Sequence, residues 1–166
     1  DLSFSKVIKE WGLEDPSFSN GAAYADFDND GDLDLIVNNV NDEIGLYRNN
    51  ANNNYLQIQL KGSQKNALAQ GAEVYLESGG NMQHQQLYLT RGYESSVPNI
   101  LHFGLGEHSE VQSVIVNWPD GTSTTIENPE ANQLLAIDHA LATGVASEIN
   151  NSIKKQNITP SQMGVD

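Results

Sequence analysis

The sequence predicts an almost entirely β protein: a partial β meander first, then an antiparallel β-sandwich or small barrel, then a C-terminal helix. Three observations carry that prediction. From residue 55 onward, short stretches alternate apolar and polar residues with period two and are divided by glycine- and proline-bearing turn signals. Earlier, an acidic bend, Asp26-Phe27-Asp28-Asn29-Asp30-Gly31-Asp32-Leu33-Asp34, separates two runs that read as strands. After residue 138 the apolar spacing changes, with Leu141, Val145, Ile149 and Ile153 four residues apart, as on one face of a helix.

Taken in order, residues 1–20 hold Phe4, Val7, Ile8 and Trp11 before Gly12 and Pro16, which predicts a short helical turn or an irregular lead-in. Trp11 is expected to pack on the first strand. Residues 21–27, 33–38 and 44–48 form the meander, with the acidic bend as its first turn and Asn41-Asp42 in its second. Three strands bury little surface and leave edges, so the meander must lean on the next domain or on further chain. The polar run Asn49-Asn50-Ala51-Asn52-Asn53-Asn54 marks the domain boundary. Seven strands follow at 55–60, 72–77, 85–90, 100–103, 111–118, 122–126 and 133–137, separated at Gly79-Gly80, at 104–106 and at Pro119-Asp120-Gly121. A helix is expected at 139–155. It contains Gly144, which weakens it by about 1 kcal/mol relative to alanine. The domains are therefore 1–50, 55–138, and a helical extension with a tail at 139–166.

The bend is where chemistry is written most densely. It carries five aspartates, Asp26, Asp28, Asp30, Asp32 and Asp34. Two carboxylates roughly 5 Å apart repel by about 1 kcal/mol in water and by about 3 kcal/mol where partly buried. Converging acids therefore need a cation, or else splay into solvent. Acids at the first, third, fifth and ninth places, with a turn-permitting glycine at the sixth, suit a hard cation such as Ca2+, which takes six to eight oxygens. The bend is not an EF-hand, because Val37 stands at the twelfth place, where a bidentate glutamate is required, and its flanks read as strands.

The stretch Gly21-Ala22-Ala23-Tyr24-Ala25-Asp26-Phe27-Asp28-Asn29-Asp30-Gly31-Asp32-Leu33-Asp34-Leu35-Ile36-Val37 resembles the FG-GAP or VCBS repeat, a blade-like β unit of extracellular propellers. The resemblance implies calcium held at Asp26, Asp28, Asp30 and Asp34, with a main-chain carbonyl at Asp32. Farther along, Gly71-Ala72-Glu73-Val74-Tyr75, Leu101-His102-Phe103-Gly104-Leu105-Gly106 and Val114-Ile115-Val116-Asn117-Trp118-Pro119-Asp120-Gly121 are similar to the ASPIC/UnbV domain, which commonly follows such repeats. One departure is Leu68-Ala69-Gln70, where that domain carries a basic residue.

Charge excludes some functions. With 22 acids against 8 bases, the formal charge is −14, which disfavours nucleic acid and anionic lipid as partners. No apolar run approaches the roughly 20 residues needed to span a membrane, and the first residues do not read as a signal peptide, although a mature or excised fragment would look the same. Absence of cysteine removes disulfides and thiolate sites and fits a Gram-negative envelope protein as well as many cytosolic ones. A secreted or envelope location follows from the calcium bend and the resemblance, since millimolar calcium outside cells fills weak sites.

No reaction is legible. His84, His102, His108 and His139 fall at no zinc or triad spacing, and no carboxylate pair among Glu73, Glu77, Glu94 and Asp120 can be chosen from spacing alone. Of Tyr75, Tyr88, Tyr93 and Trp118, Tyr93 is the best surface aromatic for stacking a sugar ring. The expectation is thus a non-enzymatic calcium-binding module whose partner is an extracellular protein or glycan, and which packs against further repeats of a longer chain. The competing classes are an accessory or catalytic part of a polysaccharide-acting enzyme and a structural spacer between propellers.

Overall fold

The computed structural model describes residues 3–145. Its elements are β1 Ser19–Ala25, β2 Asp34–Asn39, β3 Gly45–Tyr47, β4 Asn54–Lys61, β5 Glu73–Ser78, β6 Asn81–Gln86, β7 Leu101–Gly106, β8 Val111–Asn117, β9 Thr122–Glu127, β10 Leu134–Asp138 and β11 Gly144–Val145, with one 3-10 turn at His139–Leu141. The protein is all-β, as predicted, and its sheets do not close into a barrel. They are β1-β2-β3, β10-β4-β7 and β11-β9-β8-β5-β6. One pairing departs from an all-antiparallel sandwich, since β10 runs parallel to β4.

The second and third sheets enclose one apolar cluster. Leu56, Ile58 and Leu60 of β4 alternate inward, as period two requires, and meet Val74 and Leu76 of β5, Phe103 and Leu105 of β7, and Val114 and Val116 of β8. Trp118 closes one end, buried, with its indole N–H donating to Thr124 Oγ1 at 2.9 Å. Glutamine side chains of β6 reach across the open side: Gln83 donates to the Gly104 carbonyl at 2.7 Å, and Gln85 to that of His102. Edge carbonyls of β7 are thereby satisfied without another strand.

The meander has no such interior. Its cross-strand rows, Ala23–Ile36–Leu46 and Tyr24–Leu35–Tyr47, stay partly or fully exposed, and within residues 3–54 only Gly31, Asp32 and Asp34 are buried. The lead-in forms a hydrogen-bonded turn, Trp11 N–H to Val7 O at 3.1 Å and Leu13 N–H to Ile8 O at 2.8 Å. Trp11 does not pack on β1; it is 71% exposed.

The expected helix at 139–155 does not form where the chain is described. Asp138 caps Ala140 N–H at 2.9 Å, which starts only the 3-10 turn. Thr143 N–H then donates to Ser123 O at 3.0 Å, and Gly144 pairs with Ser123, so the backbone joins the edge of β9 as β11 instead of continuing to wind. The remainder of that expected helix lies outside the described residues. The strand expected at 85–90 begins earlier, at Asn81, because Gly79 and Gly80, at φ +57° and +77°, turn the chain directly back from β5. Leu87 still reaches the core beyond the end of β6.

Candidate metal centre

The acidic bend joins β1 to β2, whose antiparallel register sets Ala25 opposite Asp34 and so brings the two ends of the bend together. One carboxylate oxygen from each of Asp26, Asp28 and Asp34 lies within 4.8 Å of the others. Calcium–oxygen distances near 2.4 Å allow ligands on opposite sides of one ion to be at most about 4.8 Å apart, so these three fit a single cation. All donors are oxygens, which suits a hard ion better than zinc or copper.

Backbone amides hold the cluster in place. Asp26 accepts from Asp30 N–H at 3.1 Å and Gly31 N–H at 3.1 Å, winding the bend around its first carboxylate. Asp34 accepts from Phe27 N–H at 3.0 Å and from Asn49 N–H at 2.9 Å. Asp26 Oδ1 and both Asp34 oxygens accept one such bond each and keep a second lone pair for a cation. Gly31 sits at φ +97° with the Tyr55 ring directly over it, so that a Cβ would overlap that ring. Only glycine meets both demands.

The other two aspartates behave differently. Asp30 accepts from Asp32 N–H at 3.3 Å and from Arg48 Nη2 at 3.3 Å, and the Asp32 amide, then Arg48, hold its carboxyl below the usual range. Arg48 also pairs with Asp28 at 2.7 Å, so a resident guanidinium partly neutralises the bend. Asp32 is 8% exposed, and neither of its carboxylate oxygens has a hydrogen-bond partner among the described residues. Burial, with Asp30 adding like charge, pushes its pKa up, while the neighbouring Ala51 amide offsets only part of this. A desolvated carboxylate beside three converging ones concentrates negative charge that a bound cation would neutralise.

The structure therefore gathers Asp26, Asp28 and Asp34 from the five predicted positions, gives Asp30 to Arg48, and buries Asp32. Sequence reasoning missed what the following domain contributes. Gln57 of β4 donates to Asp26 Oδ2 at 2.9 Å, Tyr55 covers Gly31, and His102 of β7 stacks on Tyr55 at 5.8 Å between ring centroids. Farther away, Ser95 Oγ accepts from Ala22 N–H at 3.1 Å. The bend is thus seated on the sandwich.

Other sequence candidates do not assemble. Trp118 is buried, Tyr75 stacks on His84 at 4.5 Å, and Tyr88 and Tyr93 are exposed in separate clefts, so the four rings form no platform. His139 Nε2 lies 2.8 Å from Asp120 Oδ2 and 3.5 Å from Thr122 Oγ1. Both contacts use one ring nitrogen, whereas a proton relay needs both. Asp120, accepting from Thr122 hydroxyl and amide and from His139, is lowered to about 2.

Fold and site together define a class: a β-sandwich with an acidic, metal-compatible bend docked against one of its sheets. A family model described as ASPIC and UnbV matches residues 62–144, half of the chain, and the protein belongs to that family. It is also similar to cartilage acidic protein 1: 34% identical over 133 residues to the Homo sapiens protein, 33% to that of Mus musculus and 32% over 125 residues to that of Xenopus tropicalis. These matches cover 75, 75 and 70% of this chain but only 20, 20 and 19% of those relatives, so the chain corresponds to about a fifth of their length. Among the described residues no helix is long and apolar enough to cross a membrane.

Proposed function

We propose that this chain is a non-enzymatic, calcium-stabilised β module of a secreted or cell-envelope protein, serving adhesion, carbohydrate attachment or assembly. The observation that carries the reading is the convergence of Asp26, Asp28 and Asp34 beside the buried, unpartnered Asp32. Residues 21–37 act as an FG-GAP/VCBS-type repeat. Asp26, Asp28 and Asp34 hold the ion, with Asp30 and Asp32 adding negative charge around it. Calcium supplies the divalent charge that cancels their mutual repulsion, while the amides of Phe27, Gly31 and Asn49 keep the carboxylates aimed. Millimolar extracellular calcium suffices for a bend of this kind, and relatives named for cartilage are in keeping with a secreted setting.

Assembly is favoured by one specific feature. Phe18, just before β1, and Ile44 and Leu46 in and beside β3 are 84, 61 and 66% exposed, apolar side chains that neighbouring repeats of a longer chain would cover.

Thermal melting followed by circular dichroism, in calcium and in chelator, tests the reading on the wild type and on Asp28→Asn, an exposed position whose loss leaves the backbone cradle intact. Ion binding to the folded form alone adds about 2.7 kcal/mol at a hundredfold excess over Kd, a rise of roughly 5–10 °C at this size. Asp28→Asn should lose most of that rise and match the wild type in chelator. A wild type that melts identically in both buffers refutes the proposal.

A further inference from the structure

A second cleft, of about 540 Å³, opens between the meander and the sandwich on the side where β6 and β7 face each other. Its walls carry Tyr24, His84, Gln86, Tyr88, Arg91 and His102. In a chain with 22 acids and 8 bases, no residue lining this cleft is acidic. Arg91 is exposed, and its guanidinium makes one long hydrogen bond, to Gln86 O at 3.4 Å, with no ion pair among the described residues. The chain's other described arginine, Arg48, is paired with two aspartates. Tyr24 and Tyr88 are 39 and 48% exposed, and His102 Nδ1 is buried without a hydrogen-bond partner.

We infer that this cleft binds an acidic saccharide, with Arg91 receiving a uronate carboxylate. The inference deepens the carbohydrate-attachment reading and rests on it. A guanidinium in want of an anion meets a carboxylate through two parallel N–H···O bonds. Exposed tyrosine rings offer flat faces to sugar C–H groups while keeping a hydroxyl for hydrogen bonding. The exposed imidazole of His84 and the carboxamide oxygen of Gln86, whose amide donates to the Gly71 carbonyl at 3.2 Å, supply the mixed donors and acceptors that sugar hydroxyls need. An acidic peptide added as a strand is disfavoured, because Gln83 and Gln85 already occupy the β7 carbonyls that such a strand would use.

Isothermal titration of the full chain with tetrasaccharides of glucuronate and of galacturonate tests this. The controls are their carboxyl-reduced neutral counterparts and a tetraglutamate peptide. Each titration is run in chelator, to prevent calcium from bridging sugars, and again in calcium. At least one uronate should bind about tenfold or more tighter than its neutral counterpart. Arg91→Gln should abolish that difference without changing the melting temperature, and Tyr88→Ala should weaken both sugars severalfold. The inference is overturned if neither uronate binds, if the neutral sugar or the peptide binds equally well, or if Arg91→Gln binds like the wild type. A calcium-dependent melting shift without sugar binding sinks this inference alone. Uronate binding without a calcium shift sinks only the structural-ion proposal.

Discussion

The two halves of the molecule bury opposite kinds of side chain. The sandwich closes on Leu56, Ile58, Val74, Phe103 and Val116, none accessible, and every one of these is stabilised by leaving water. The meander closes on Gly31, Asp32 and Asp34, and two of those three lose hydration by being inside. An apolar interior holds itself together in any buffer, whereas a carboxylate interior depends on what neutralises it. On the proposed reading, the meander is a conditional element seated on an unconditional one through Tyr55 and Gln57.

The sharpest way to test that contrast is to damage each half in turn. Phe103→Ala should cost about 3–5 kcal/mol, equally in calcium and in chelator, by denaturant unfolding. Gly31→Ala drives a methyl into the Tyr55 ring at a positive φ and should cost about 2–3 kcal/mol of docking. Limited proteolysis should then cut within the meander while the sandwich persists.

Asp32→Asn should change sign with the ion. In chelator it removes a buried like charge and should stabilise by about 1 kcal/mol, discounted because the site lies near the surface; in calcium it should weaken binding and destabilise. Because the folded pKa of Asp32 is raised, its contribution to wild-type stability in chelator is greatest below the ordinary carboxylate value and declines as pH rises through the folded one. The variant should lack that decline. Smallest of all, Arg48→Gln removes a cation that competes for Asp28 and should raise calcium affinity severalfold by titration.

How much of this was legible varies with distance along the chain. The convergence of Asp26, Asp28 and Asp34, and the need for Gly31 between them, follow from local spacing. The partnership of Asp30 with Arg48 and the burial of Asp32 do not, because both depend on how β3 and the 49–54 linker return over the bend. Tyr55 and Gln57 announce only an alternating strand; that they cover the bend is a tertiary fact without a local signal. The strands of the sandwich were readable from period two. Over residues 139–145 the helical expectation fails, because capping by Asp138 and the open edge of β9 outweigh a pattern that Gly144 already weakens.

The most direct measurement is amide hydrogen exchange, resolved by residue, in calcium and in chelator. The amides of Phe27, Gly31 and Asn49 donate to the clustered carboxylates, whereas those of Leu56 and Val74 belong to the sandwich. Calcium should slow exchange at the first three by an order of magnitude or more and leave the other two unchanged. Equal rates at Phe27, Gly31 and Asn49 in both buffers would contradict the claim that a divalent ion holds the bend.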